Sequence, residues 1–299
     1  ALQRFAANNS LKVKALLCGL TIEGTTVTGC NFGHARLKTL EGLQGVWSIR
    51  KFNVSSNYAL TSLQGIPTQE IEEINAFRCG LTGDLSALAG ARRLKNLDVS
   101  MNRGLTSLQG IPTQQIENIA AETCGLTGDL SALARASKLK TLTVAGNEGL
   151  TFLQGIPTQE IEEIHAFRCG LTGDLSTLAG ARKLKILNIG SNKELISLQG
   201  IPTEKIEEIH AGMCGLTGDL SALAGASQLK RLNVGSNIGL TSLQGIPSQE
   251  IEDIFAQGCG LTGNLSALAG ASKLKKLNVA FNGRLASLQG IPTQEIEEI

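Results

Sequence analysis

The sequence contains few aromatic residues and almost no net charge. Aromatic residues make up 3% of the 299 positions, and Lys plus Arg outnumber Asp plus Glu by 27 to 26. Binding to nucleic acid needs an accumulated basic field, so a net charge of +1 argues against a nucleic-acid partner. No apolar run approaches the length of a membrane span, so we predict no membrane-spanning segment in this chain.

Residues that commonly perform catalysis are also scarce. Histidine occurs three times, and no glycine-rich phosphate loop precedes a predicted helix. The pair Glu72-Glu73 and its copies resemble paired carboxylates, but a catalytic pair needs an enclosed pocket that separates the two pKa values. A flat repeated stripe provides no such pocket. We therefore predict that the protein is not an enzyme and binds no cofactor.

A repeat occupies most of the chain. The segment Leu60-Thr-Ser-Leu-Gln-Gly-Ile-Pro returns 45 residues later at Leu105 and then, with small changes, at Leu150, Leu195, Leu240 and Leu285. The segment Cys79-Gly-Leu-Thr-Gly returns at Cys124, Cys169, Cys214 and Cys259. A fixed period of about 20 to 50 residues is typical of a solenoid.

Each 45-residue unit contains two coils, of 21 and 24 residues. The first coil reads I-x-x-I-x-A-x-x-C-x-L from Ile71, and the second reads L-x-x-L-x-V-x-x-N from Leu94. The alternation in each pattern predicts a short strand with one buried face. Because a single coil cannot bury that face, the coils must stack, and their strands form a parallel sheet with a spacing of about 4.8 Å.

Both patterns resemble the leucine-rich repeat, L-x-x-L-x-L-x-x-N/C-x-L, over about residues 22–299. The L-T-G-x-L segments are similar to plant-type extracellular repeats, and the shorter segments are similar to bacterial and phosphatase-regulator repeats. The resemblance implies a curved α/β solenoid with a parallel β-sheet on its concave face and short helical or irregular segments on its convex face. We expect an N-terminal cap (1–21), a degenerate first repeat (22–59) and tandem double repeats (60–299) that end mid-repeat.

Cys and Asn alternate at the turn that follows each predicted strand, as in Cys79 and Asn102. An Asn amide can both donate and accept hydrogen bonds to buried backbone groups, whereas a thiol does so weakly. Asp84 and its equivalents are expected to cap a short helical segment. Cysteines of this ladder recur every two coils, about 9.6 Å apart, and are predicted to stay reduced and buried.

Cys18 lies in the predicted cap, and Cys30 lies in the degenerate first repeat that follows it. A disulfide between them would resemble the stapled N-terminal caps of extracellular repeat proteins, whereas two free thiols would favour a cytoplasmic protein. Three N-x-S/T sequons favour a secreted or surface protein; they begin at Asn8, Asn53 and Asn264.

The copies differ most at positions between the strand leucines, whose side chains are predicted to point out from the concave face. Phe, Met, Arg and His at such positions are not needed to build the solenoid and are common in protein interfaces. Neutral variation of exposed positions is the alternative interpretation. The candidate ligand-binding residues are Phe77, Arg78, His165, Phe167, Arg168, His210, Met213, Arg231, Phe255 and Phe281.

Two polar features of the same face are interpreted as structural. The repeated Glu72 and Lys95 positions alternate by coil, which predicts a cross-strand ladder of opposite charges. His165 and His210 occupy equivalent positions of the repeat but lie two coils apart. The predicted separation of about 9.6 Å between their strands is too large for one shared metal ion. We therefore predict no metal site.

The sequence predicts a non-enzymatic recognition or adhesion protein, extracellular or at the cell surface, that binds a protein or glycan ligand through its variable concave face. Two alternatives remain. The first is a structural or spacer array that assembles end to end through the open coil at Ile299. The second is a cytoplasmic scaffold for protein interactions. Because the last coil stops in mid-strand, we expect either continuation of the native chain or packing of this end against another chain.

Overall fold

A computed structural model describes residues 20–23, 26–43, 48–292 and 296–297. The chain divides into two compact units, residues 1–149 and 150–299, which we call the N-terminal unit and the C-terminal unit. Each unit is a stack of coils. In each stack, three-residue strands pair in parallel with the strand of the next coil, as the repeat predicts.

The sheet of the N-terminal unit begins with an antiparallel hairpin of Leu20–Glu23 and Thr26–Asn31, which the sequence analysis did not predict. Parallel strands follow in chain order: Lys51–Asn53, Glu73–Asn75, Asn96–Asp98, Asn118–Ala120 and Thr141–Thr143. The middle residue of each three-residue strand is buried and its two neighbours face solvent, which is the period-2 pattern of a strand with one covered face.

The sheet of the C-terminal unit contains parallel strands only. They are Glu163–His165, Ile186–Asn188, Glu208–His210, Arg231–Asn233, Asp253–Phe255 and Lys276–Asn278. Their register has no offset, since Leu187 pairs with Ile209 and Ile209 with Leu232. Equivalent residues of successive coils therefore form straight columns across the sheet.

Two-residue strands form a second set of short parallel pairs on the chain segments that leave the main sheet. Thr82–Gly83 pairs with Gly104–Leu105, and a Cβ atom on Gly104 would lie only 2.8 Å from the Thr82 methyl carbon. A side chain at Gly104 would therefore push this pair apart. The other such strands are Thr127–Gly128, Gly149–Leu150, Thr172–Gly173, Glu194–Leu195, Thr217–Gly218, Gly239–Leu240, Thr262–Gly263 and Arg284–Leu285.

Helical structure among the described residues is limited to single 3₁₀ turns: Ser86–Leu88, Ser131–Leu133, Ser176–Leu178, Ser221–Leu223 and Ser266–Leu268. Asp84 Oδ1 accepts a hydrogen bond from the Ser86 N–H at 2.9 Å, which lowers the pKa of Asp84. The N-cap residue itself is Leu85, which makes no side-chain cap bond. Asp84 therefore stabilises the start of the 3₁₀ turn from the position before the N-cap, through a local side-chain turn, and is not the N-cap residue itself.

The Cys/Asn ladder is confirmed. The Asn102 side chain is fully buried; its Nδ2 donates to Ala76 O at 2.9 Å and to Val99 O at 2.6 Å, and its Oδ1 accepts from Leu81 N at 3.0 Å. The Cys79 thiol donates to Val54 O at 3.1 Å. Each Asn therefore joins backbone groups of two coils, and each Cys makes fewer bonds at the equivalent place.

Candidate ligand-binding faces of the sheet

The solvent-facing side of each sheet is built from two columns, formed by the first and third residues of the strands. In the C-terminal unit the third-position column contains His165, Asn188, His210, Asn233, Phe255 and Asn278. In the N-terminal unit it contains Asn31, Asn53, Asn75, Asp98, Ala120 and Thr143. The buried middle residues are aliphatic or Phe in both units, so the chemistry of the two faces differs while the frame does not.

His165 and His210 are half-buried in the third-position column of the C-terminal unit. Each has its Nε2 near a glutamate of its own strand, 3.7 Å from Glu163 Oε2 and 3.6 Å from Glu208 Oε2 respectively. Glu208 also forms an ion pair with Arg231 on the next strand. Burial raises the pKa of Glu208, but the hydrogen bonds and charges of Arg231 and His210 together outweigh burial, so the pKa is lowered overall.

Phe167 and a run of glycines form a shallow depression beside these residues. The ring of Phe167, 42% exposed, packs against Gly190, where an added Cβ would lie 3.2 Å from the ring. Gly212 and Gly235 occupy the same position in the next two coils. We call Gly190, Gly212 and Gly235 the glycine trough.

Gln257 closes the other end of the glycine trough. Its side chain folds over Gly235, and a Cβ on Gly235 would lie 2.7 Å from the Gln257 amide nitrogen. Among the described residues, Gln257 Oε1 is the buried side-chain oxygen without a hydrogen-bond partner. The sequence analysis did not predict the glycine trough. Comparison of adjacent coils would have shown the three successive glycines.

The residue before each ladder Cys or Asn adopts a left-handed backbone conformation. Arg78, Arg168, Met213 and Phe281 have φ values of 53°, 51°, 58° and 59°. This conformation directs their side chains outward, and Met213 and Phe281 are 55% and 88% exposed. The sequence analysis predicted a turn here but not its left-handed conformation, because the residue types at this position vary; the signal was Gly146 and Gly258 at equivalent positions.

In the N-terminal unit, the predicted pair Phe77 and Arg78 lies at the end of strand Glu73–Asn75. Phe77 is half-buried, and the Arg78 guanidinium carbon lies 5.5 Å from the centroid of the Tyr58 ring. This is cation–π geometry. Tyr58 is 61% exposed and was not among the predicted residues.

The remaining predicted ligand-binding residues lie on the sheet face of the C-terminal unit or at its edge. Phe255 is half-buried, and Arg231 is exposed beside Glu208. The structure thus brings His165, Phe167, His210, Arg231 and Phe255 together on one sheet face. Arg168, Met213 and Phe281 lie at the carboxyl edge of that face.

The predicted Glu/Lys ladder is confirmed by ion pairs between successive coils. Their N–O distances are 2.6 to 2.8 Å for Lys95–Glu72, Lys140–Glu117, Lys185–Glu162, Lys230–Glu207 and Lys275–Glu252. A second row, which was not predicted, contains Arg93–Glu70, Lys183–Glu160 and Lys273–Glu250. These exposed pairs fix the register of the strands and leave little free charge for a ligand.

The described part of the chain contains no cluster of three His, Cys, Asp or Glu residues that could hold a metal ion. A search of the same residues found no helix with the length and apolarity that crossing a bilayer requires.

The predicted disulfide and glycosylation sites stay predictions. Cys18, Asn8 and the chain end at Ile299 lie outside the described residues. Cys30 is buried, which raises the pKa of its thiol to about 12. Asn53 and Asn264 each accept a hydrogen bond from the backbone N–H two residues later, and Asn264 is exposed.

No protein-family model and no curated protein matches the sequence. Solved structures do match. The leucine-rich repeat ectodomain of the Arabidopsis thaliana receptor kinase GASSHO1/SCHENGEN3, in complex with CASPARIAN STRIP INTEGRITY FACTOR 2, is 19% identical with a TM-score of 0.55; the match covers 87% of this chain and 40% of that chain. A TDR receptor is 17% identical with a TM-score of 0.56, and the match covers 85% of this chain and 55% of that chain.

The PEPR1-AtPEP1 structure is 19% identical with a TM-score of 0.54, and the match covers 87% of this chain and 43% of that chain. Our chain thus spans between 40% and 55% of the length of these three proteins. Such low identities inform about the fold alone. Together with the stacked coils and the Cys/Asn ladder, they show that the chain has the leucine-rich repeat fold.

Proposed function

We propose that this chain is a non-catalytic recognition protein whose C-terminal unit binds a polypeptide on the exposed face of its sheet. The observation that carries the proposal is the set of exposed or half-buried Phe, Met, Arg and His side chains on the sheet face and at its carboxyl edge. Aromatic residues, Met and Arg are enriched at the cores of protein interfaces. The proposed contact residues are His165, Phe167, Arg168, His210, Met213, Arg231, Phe255 and Phe281. Phe77 and Arg78 are proposed as a separate contact on the N-terminal unit.

The shape of this face suits an extended polypeptide. Within the glycine trough only Gly212 is partly exposed, since Phe167 covers Gly190 and Gln257 covers Gly235. Phe167 and Phe255 offer apolar contacts on this face. Glu163, Glu208 and Arg231 supply acceptors and a donor within the same face. Because these groups are carried by paired strands, little conformational entropy is lost on binding.

The matched structures are compatible with this role but do not fix the ligand. The GASSHO1/SCHENGEN3 ectodomain was solved in complex with CASPARIAN STRIP INTEGRITY FACTOR 2. Another match, 15% identical with a TM-score of 0.54, is a TLR13 complex with ssRNA13. Our preference for a polypeptide therefore rests on the exposed side chains and on the net charge of +1, which provides no basic field for RNA.

We also propose an extracellular or surface location. The proposal is based on the resemblance of Cys18 and Cys30 to the stapled caps of extracellular repeat proteins and on the three N-x-S/T sequons. Intact mass after alkylation of the denatured, non-reduced chain tests it. Cys18 and Cys30 are expected to resist alkylation because they are joined by a disulfide. Seven alkylated thiols would favour the cytoplasmic scaffold instead.

The binding proposal is tested with displayed random peptides selected on the full chain. The double variant Phe167→Ala/Arg168→Ala should weaken binding of the selected peptides at least about tenfold, since both residues would belong to the hot spot. The matched control is Phe152→Ala/Arg182→Ala, because Phe152 is 52% exposed and the Arg182 side chain 79% exposed, both outside the sheet strands.

The control should bind like the wild type. Circular dichroism of both double variants should match the wild type, because none of the four side chains is buried. Failure to enrich any peptide, or equal binding by both double variants, would contradict the proposed face.

A further inference from the structure

We infer that the N-terminal unit carries a second ligand site, a groove of about 520 Å³ that takes an uncharged oligosaccharide. The third-position column of this unit presents Asn31, Asn53 and Asn75 on three successive strands, followed by Asp98. All four line the groove. Its volume lies within the range of ligand pockets, about 300 to 1,000 Å³. We call it the amide groove.

The orientation of each amide is fixed by the backbone. The Oδ1 atoms of Asn31, Asn53 and Asn75 accept hydrogen bonds from the N–H groups two residues later, at 3.2, 2.9 and 3.0 Å. A flipped amide would place its own N–H groups against these donors, so the flip is unfavourable. Each Nδ2 group must therefore point away from the turn.

These Nδ2 groups are available to a ligand. Asn31 and Asn75 are exposed and Asn53 is half-buried, and no residue in the described ranges accepts a hydrogen bond from the three Nδ2 groups. Asp98 uses Oδ1 in the same local bond, to Ser100 N at 2.9 Å, so Oδ2 remains an acceptor. The column thus offers three donors and then an acceptor, one coil apart.

The rest of the groove is close to neutral. Lys51 and Glu73 form an ion pair at 2.9 Å, and Asn118 Nδ2 donates to Asn96 Oδ1 at 2.6 Å. Thr141 and Thr143 add hydroxyl groups at the far end. A ligand that fits this lining must both accept and donate hydrogen bonds, and an anionic ligand would be repelled by the Asp98 carboxylate. Sugar hydroxyl groups meet these conditions.

Spacing distinguishes a saccharide from a peptide. The three donors span two coil intervals, about 9.6 Å. Carbonyl groups on one side of an extended peptide recur about every 6.7 Å, so three of them span about 13.4 Å and lose register with the column. A pyranose unit is similar in length to one coil interval. We therefore assign the amide groove to at least three linked neutral sugars, running across the strands.

The proposal differs from polypeptide binding by the C-terminal unit and can fail independently. The test uses a glycan array with neutral hexose oligomers, acidic oligomers and single sugars, probed with the full chain produced in bacteria so that Asn53 is unmodified. Neutral oligomers of three or more units should bind, and single sugars should not.

The decisive variant is Asn53→Asp/Asn75→Asp. Aspartate keeps the Oδ1 acceptor, as Asp98 does, but replaces two donors by oxygens and adds negative charge. Binding to neutral oligomers should fall at least about tenfold, while the fold is retained. Asn188→Asp/Asn233→Asp is the matched control, since these two residues make the same local bonds in the C-terminal unit, to Gly190 N and Gly235 N.

The control should bind neutral oligomers like the wild type. Three results would overturn the proposal: no binding to neutral oligomers, binding to acidic oligomers alone, or equal loss of binding in both double variants. A selected peptide that loses affinity only in the Asn53→Asp/Asn75→Asp variant would also overturn it, because the groove would then be a peptide site.

Discussion

The sheets of the N-terminal and C-terminal units share one frame and carry different surfaces. Aliphatic or Phe residues fill the middle of the strands in both, and Asn residues join the coils by the same three bonds. The third-position column contains three Asn residues in each unit; they lie on successive strands in the N-terminal unit, whereas His210 and Phe255 separate them in the C-terminal unit. In this protein, stability and recognition therefore depend on different residues of the same strand.

The largest expected effect comes from breaking the shared frame. Asn192 is fully buried; its Nδ2 donates to Ala166 O at 3.0 Å and Ile189 O at 2.6 Å, and its Oδ1 accepts from Leu171 N at 3.1 Å. Asn192→Ala leaves these backbone groups unsatisfied and should lower the free energy of unfolding by about 3 kcal/mol. Urea denaturation measures the loss.

Asn102→Ala in the N-terminal unit should cost about the same, because its three bonds are equivalent. Cys214→Ala serves as the milder comparison, since its thiol makes weak bonds, to Ile189 O at 3.3 Å and Gly212 O at 3.8 Å. If the two Asn variants differed by more than about 1 kcal/mol, a common frame would be contradicted.

A smaller effect is expected when one surface is converted into the other. His210→Asn/Phe255→Asn would extend the amides of Asn188, Asn233 and Asn278 into an unbroken column. Affinity for selected peptides should fall about tenfold, because an aromatic contact is removed. Neutral oligosaccharides should gain measurable binding on the C-terminal unit, which a glycan array detects in a chain that also carries Asn53→Asp/Asn75→Asp.

The conversion should leave stability nearly unchanged. Asn188 and Asn233 already occupy the same position, and each accepts a bond from the glycine N–H two residues later. Loss of peptide binding without gain of saccharide binding would mean that an amide column alone does not make a saccharide site.

The frame could be predicted from the sequence because it depends on residues that repeat. The 45-residue period, the Cys79 and Asn102 turns and the alternating Glu72 and Lys95 positions each imply a contact with the equivalent position of the next coil. The geometry of these contacts follows once the strands pair in register. The short strand Thr82–Gly83 was missed because two residues are too few for a period-2 pattern.

The surfaces were harder to predict because they depend on neighbours in adjacent coils of different type. Phe167 belongs to a short coil and Gly190 to a long one, so a comparison of equivalent copies does not reveal their contact. The direction of the Asn53 amide also depends on a hydrogen bond to Ser55 N, which no residue pattern shows. Composition indicated a recognition surface but not its two different faces.

The smallest expected effect concerns pH and the charged residues of the two faces. The hydrogen bond from Lys95 lowers the pKa of Glu72 below its ordinary value of 4.5. A lowered pKa in the folded state means that the contribution to stability is present above about pH 4.5 and is lost as pH falls through the folded-state value. Lys95→Met should therefore reduce the loss of stability between pH 5 and pH 3 slightly, since the Glu72 side chain is 33% exposed.

Arg231→Met should change this pH dependence more than Lys95→Met does, because the Glu208 side chain is only 19% exposed. Without Arg231, burial would act against the charged form of Glu208, opposed mainly by His210 beside it. A folded-state pKa raised above the ordinary value reverses the sign, so this carboxyl would stabilise the fold in acid and cease to do so as pH rises. Denaturation midpoints at pH 3, 5 and 7 measure this reversed pH dependence of stability. An identical pH dependence in both Met variants would show that the charged pairs of the two units are equivalent.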